Sequence, residues 1–277
     1  MTLFSHIISD NLSGSGSVLD QVQSELIGLG TEKNVIGSEE LLQAVQKLRE
    51  YFPQFGLLWH FTGELAGRLH QDQTISGTDL KNIVQEYVDK WKNSREQASR
   101  NMIENVDFSG KRVLVHSNST AIHCLFRLLS ERNIFPEVWQ TYSSPAGEGI
   151  IQAEIINGWG FEMHFLHEDA LSNFMEQMDM VVFGADLLLE DRFVNKAGTF
   201  PISLLFNHFK KPVYVLAERR KQISISEVPA DLVKKLTNEI EKPAEELAPE
   251  QVKNIIVHNL YFEFTPMSLV NRVFLDK

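Results

Sequence analysis

Cysteine is almost absent: the 277 residues hold one, Cys124. That count excludes a disulfide framework and a zinc cluster built from several cysteines, and one thiol fits a reducing compartment. Basic charge is in deficit, with 26 Lys and Arg against 37 Asp and Glu and a formal net charge of −11. Broad binding to nucleic acid or to an anionic membrane needs a basic face, so neither partner is expected, although one small anion site remains compatible. Long hydrophobic runs are missing as well, and no stretch approaches the roughly 18 apolar residues of a spanning helix. The opening MTLFSHIISDNLSGSGS lacks a basic and then an apolar region, so no secretory signal is read and a cytoplasmic location is expected. Internal repeats and low-complexity tracts are not found.

What is present is an ordinary core-forming composition, 43% hydrophobic, enough to bury a core without staples. The patterning changes near residue 105, which gives two expected domains, 1–105 and 106–277. In the first, apolar residues recur at helical spacing: Val18, Leu19, Val22, Leu26 and Leu29; Leu41, Leu42, Val45 and Leu48; Leu57 to Leu69; Leu80 to Trp91. Four helices are expected. In the second, short apolar strands alternate with helices. Strands are expected at 113–115, 136–142, 162–167, 180–183 and 212–217, and helices at 121–129, 147–157, 170–178 and 199–209. Five strands with crossovers long enough for parallel pairing make a doubly wound α/β domain, and nearly all-apolar strands fit a sheet covered on both faces. The charged stretch 226–251 reads as a solvated loop with a short helix near 232–240. The aromatic ending from His258 to Pro266 reads as a strand returning to the sheet.

Ligands of open parallel sheets bind beyond the carboxyl ends of the strands, and several segments fall there. His116-Ser117-Asn118-Ser119-Thr120 offers amides and hydroxyls for an anion at a helix N-terminus, or is a plain N-cap. Gly184-Ala185-Asp186 puts a carboxylate just past a strand, placed for acid/base work or for a turn. Asn195-Lys196-Ala197-Gly198-Thr199 is a phosphate cradle or a glycine turn; it lacks the Walker spacing. Tyr142 to Gly149 reads as a tight turn, and Ser13 to Ser17 as a phosphate loop or a helix entry. Cys124 is expected in the core and Arg219 to Lys221 on a solvated face. His60, His70, His123, His164 and His167 show no ligand spacing, so no metal and no cofactor is expected.

Taken together, the run Val182 to Asp186, the turn Val194 to Thr199, the strand Pro212 to Glu218 and the ending Tyr261 to Pro266 resemble one family. It is that of the translation initiation factor 2B regulatory subunits (alpha, beta and delta), which also contains methylthioribose-1-phosphate isomerase and ribose-1,5-bisphosphate isomerase. The resemblance runs from Ser13 to about Leu269. It implies a helical N-terminal domain, a Rossmann-like parallel-sheet C-terminal domain, and homodimerisation through the latter.

The resemblance also implies which positions matter. The isomerases' catalytic cysteine falls on Ser117, within His116-Ser117-Asn118. Their acidic residue matches Asp186 and their Asn-Lys pair matches Asn195 and Lys196. Their phosphate-binding arginine falls on Ser144, their glutamine on Glu148, and an N-terminal arginine motif near Ser13-Gly14-Ser15 is without its arginine. A thiol with a reference pKa of about 8.5 can be tuned toward neutrality, whereas a serine needs an adjacent base, and the sequence shows none beside Ser117. The expectation is therefore a regulatory or ligand-sensing subunit, not a standard isomerase. Its remnant pocket for a small phosphorylated ligand would be lined by Ser117, Asn118, Glu148, Asp186, Asn195 and Lys196. The alternative is a sugar-phosphate aldose–ketose isomerase with altered chemistry, in which Asp186 is the catalytic acid/base.

Overall fold

A computed structural model describes residues 3–8, 14–69, 73–228, 244–247 and 254–277. The helix expected near 232–240, Ser13 and His70 lie outside the described residues. The chain divides into two compact units, 1–93 and 94–277.

The first unit is helical. Its elements are α1 (Ser5–Ile8), α2 (Ser15–Glu32), α3 (Ser38–Tyr51), α4 (Gly56–Arg68) and α5 (Gly77–Trp91). The expected apolar stripes face inward: Leu41, Val45 and Leu48 of α3, and Leu80, Val84 and Tyr87 of α5, are buried. Ser76 caps α5, its hydroxyl accepting the Asp79 amide at 3.0 Å. Two three-residue strands, β1 (Val35–Gly37) and β2 (Thr74–Ser76), pair antiparallel. They are too short for a two-residue alternation to show in the sequence.

The second unit opens with α6 (Ser94–Asn105), a helix the periodicity missed because its buried positions are Ser94, Ala98, Ser99 and Met102, a stripe that is half polar. The strands β3 (Arg112–Val115), β4 (Glu137–Thr141), β5 (Met163–Leu166), β6 (Met180–Phe183), β9 (Val213–Leu216) and β11 (Arg272–Phe274) form one parallel sheet in the order β11-β9-β6-β3-β4-β5. Helices α7 (Thr120–Glu131), α8 (Gly149–Asn157) and α9 (Thr199–His208) connect these strands. The helix expected at 170–178 is a 3₁₀ helix over Glu168–Gln177. The sheet is buried on both faces: Val113 and Val115 belong to one core cluster and Leu114, between them, to the other. Each fully buried aliphatic side chain contributes about 1.5–3 kcal/mol.

The aromatic ending does not return to this sheet. Instead β10 (Phe262–Pro266) pairs antiparallel with β8 (Arg192–Lys196), which pairs with β7 (Leu187–Leu188) in a separate three-stranded sheet. The strand that does return is β11, whose three residues follow the segment expected to do so. Of Arg219 to Lys221, expected on a solvated face, Arg219 is exposed but the other two are not. Arg220 and Lys221 are buried because carboxylates meet them: Arg220 bonds Glu218 at 2.7 Å, and Asp186 and Glu218 act on Lys221. Cys124 is half-buried rather than in the core.

Candidate functional site

The strand order reverses about β3. From it the chain proceeds to β4 and β5 on one side, then returns to β6 and β9 on the other. Such a reversal opens a crevice at the carboxyl ends of the strands. The segments that follow β3, β4 and β6 are His116 to Ser119, Tyr142 to Glu148, and Gly184 to Asp186.

His116 anchors the first. It is fully buried, and burial pushes its pKa down to about 4, so the ring is neutral near pH 7. Nε2 stands 2.9 Å from the Ala197 carbonyl, which can only accept, so Nε2 carries the proton. Nδ1 then accepts the Thr141 hydroxyl at 2.6 Å. Gly198 sits beside the ring: its φ is +105°, and a Cβ there would lie 2.9 Å from His116 Cε1.

Ser117 follows with φ +70°, and Ser143, in the facing turn, has φ +65°. Side chains rarely adopt this left-handed region, and such residues persist only where neighbours fix them. Here the Ser117 amide donates to Ser143 Oγ at 2.7 Å. Beneath the loop runs a glutamine relay. The Ser119 amide donates to Gln152 Oε1, Gln152 Nε2 to Gln140 Oε1 (both 2.8 Å), and Gln140 Nε2 to the Ser117 carbonyl at 3.2 Å.

The backbone thus fixed points Ser117 Oγ at Glu148, to which it donates at 3.1 Å. A carboxylate therefore does stand beside the serine, which the sequence did not reveal because 31 residues separate the two. The second Glu148 oxygen lies 2.9 Å from Lys196 Nζ and forms an ion pair with it. Lys196 is 2% exposed. Burial lowers its pKa, and the Glu148, Glu168 and Glu246 carboxylates act in the opposite sense. Its ammonium lies over the Tyr261 ring, 4.1 Å from the centroid. Tyr261 in turn donates to Glu246 at 2.6 Å, and burial with that carboxylate pushes its phenol pKa upward.

The other expected site residues are placed as follows. Asn118 is half-buried beside Ser117, with its Oδ1 buried and without a hydrogen-bond partner. Asn195 is buried, and its amide donates to Thr199 Oγ1 at 2.9 Å. Asp186 follows β6 and interacts with Lys221, whose ammonium donates to the neighbouring Ala185 carbonyl at 2.6 Å. The amides opening α9 are not left for a phosphate. Gly198 and Phe200 donate to Glu263 Oε1 at 2.8 and 2.7 Å. This resident carboxylate, at an N-terminus that favours negative charge, has its pKa raised by burial and lowered by those amides. No group of three or more His, Cys, Asp and Glu suited to a metal occurs among the described residues.

The family model described as "Initiation factor 2 subunit family" matches residues 33–277. The chain belongs to that family. A ribose 1,5-bisphosphate isomerase of Methanocaldococcus jannaschii is 27% identical over 199 residues, 70% of this chain and 63% of the relative. Translation initiation factor eIF2B subunit alpha of Dictyostelium discoideum is 30% identical over 113 residues, 40% of this chain and 35% of the relative. The chain thus matches less than two thirds of either relative's length. Among solved structures, the Pyrococcus horikoshii OT3 translation initiation factor eIF-2B superposes with a TM-score of 0.79 at 20% identity, covering 99% of this chain and 94% of the other. At that identity the likeness concerns fold. The family therefore has both initiation-factor and isomerase relatives of this chain, and among the described residues no helix is long and apolar enough to cross a membrane.

Sequence reasoning missed Glu168, Glu246 and Tyr261, which come to Lys196 from distant segments. It also missed Gln140 and Thr141. These two carry a legible signal: polar residues closing an otherwise apolar buried strand.

Proposed function

We propose that this initiation factor 2 family member is a regulatory, non-isomerase subunit that pairs with a second copy through its α/β unit and holds a small ligand in the switch-point crevice. The observation that carries this reading is the chain Ser117–Glu148–Lys196. An isomerase acting on an open-chain sugar phosphate needs a proton-sharing group near neutrality and a cation for the phosphate. Here the first position offers a hydroxyl, and Lys196 already has a carboxylate at 2.9 Å. The helix N-terminus that would supply further anion binding is taken by Glu263. The relatives' names support both a translational and an isomerase ancestry, and this chemistry favours the former. Dimerisation follows the family resemblance and the prevalence of two-fold assemblies.

One observation favours a second reading. Glu148 is an adjacent base for Ser117, so an isomerase with altered chemistry would use this pair together with Asp186. Turnover separates the two. The purified protein is expected to convert neither methylthioribose-1-phosphate nor ribose-1,5-bisphosphate, and to sediment as a dimer at micromolar concentration. Conversion of either substrate that Asp186→Asn abolishes would overturn the regulatory reading, and a purely monomeric species would remove the dimer.

A further inference from the structure

We infer that Glu148 sets the charge class of ligand this crevice accepts: its carboxylate stands on Lys196 where a small anion would stand, and so closes the site to phosphorylated compounds. The inference rests on the reading of the crevice as a ligand site.

Lys196 is almost entirely buried, so its ammonium needs an opposite charge beside it. Glu148 supplies the opposite charge at 2.9 Å and is itself steadied by the Ser117 hydroxyl on its other oxygen. Two more carboxylates, Glu168 and Glu246, act on the same ammonium. The described groups around Lys196 therefore carry more negative than positive charge. An incoming anion gains one ammonium already neutralised and meets three carboxylates in a partly desolvated setting, where like charges repel more strongly than in water. With Glu148 made neutral, the ammonium keeps its place over Tyr261 and its donors become available. Asn118 Oδ1, buried and without a partner beside Ser117, adds an acceptor for a ligand hydroxyl. One side chain thus decides between a site that turns anions away and one that holds them.

The test is calorimetric titration of full-length protein with ribose 5-phosphate at pH 7, with ribose as the uncharged control. Glu148→Gln keeps shape and removes charge. It is expected to bind ribose 5-phosphate at least about tenfold more tightly than wild type, the size of a charge-assisted contact regained. The gain should vanish when Lys196→Met is added and should not appear with ribose. Equal affinity in wild type and Glu148→Gln overturns the inference, as does a gain that survives Lys196→Met. Should the glutamine variant fail to fold, as judged by thermal unfolding, Glu148→Ala carries the same comparison. Turnover of sugar phosphates by the wild type bears on the proposed function, whereas the difference between wild type and Glu148→Gln bears on this inference alone.

Discussion

Replacing Glu218 by glutamine is expected to destabilise the fold by about 3–5 kcal/mol, the usual consequence of removing one partner from a buried ion cluster. Glu218 is 2% exposed at the end of β9. Arg220 donates twice to its Oε2, at 3.0 and 2.7 Å, and Ser94 donates to the same oxygen at 2.5 Å. Arg95 approaches Oε1 at 3.3 Å. Burial alone would raise the carboxyl's pKa, but Arg220, Arg95, Lys221 and the Ser94 hydroxyl outweigh it and hold the group at about 2. A carboxyl whose pKa is depressed on folding stabilises the native state above its unfolded value. That stability is lost as pH falls through the folded one. The window here runs from the ordinary 4.5 down to about 2, and a shift of that size corresponds to about 3 kcal/mol. Urea unfolding of wild type and Glu218→Gln should therefore differ most at pH 7, and the gap should narrow steadily below pH 4. A gap that does not change with pH would mean that Glu218 acts by shape and not by charge.

That cluster also shows what a sequence conceals. Arg219, Arg220 and Lys221 read as a solvated basic patch because charge runs on a surface look the same in one dimension. Their counter-charges come from Glu218, which adjoins the run, from Asp186, 35 residues earlier than Lys221, and from Asp276, whose carboxylate accepts the Arg219 amide. Strands β3, β4, β5, β6 and β9 of the parallel sheet were legible for a different reason. Val113 to Val115 and Met180 to Phe183 are buried on both faces, and continuous burial leaves an uninterrupted apolar run. The short β11 was not, since its Arg272 is exposed and only Phe274 is buried. Within the candidate site, each strand-end segment could be found because turns after apolar strands announce themselves. Their pairing could not. Ser117 and Glu148 meet only because two left-handed serines and a glutamine relay fold one loop against the other, and no local pattern encodes that meeting.

Gly149→Ala is expected to cost about 2–3 kcal/mol, in the range of an overpacked interior, and to loosen the site with it. Gly149 opens α8 directly after Glu148. A Cβ at this position would lie 2.0 Å from the Thr141 carbonyl oxygen, 2.8 Å from Gln140 Nε2 and 2.9 Å from the Tyr142 carbonyl oxygen. Two of these atoms are backbone, so no flexible side-chain end can yield. Gln140 is the middle of the relay beneath Ser117 and cannot move without releasing the Ser117 carbonyl. Relief must come from a shift of the start of α8, which carries Glu148 away from both Ser117 and Lys196. Gly28 in α2 is the control, because a Cβ there meets nothing within 4 Å. Gly28→Ala should be neutral or should stabilise by about 0.5–1 kcal/mol through helix propensity. Thermal unfolding of the two variants beside wild type reads both effects. A Gly149→Ala protein that unfolds with the wild type would mean that the turn before α8 has room to spare, and that close approach of Thr141 to the helix start does not hold Glu148 on its two partners.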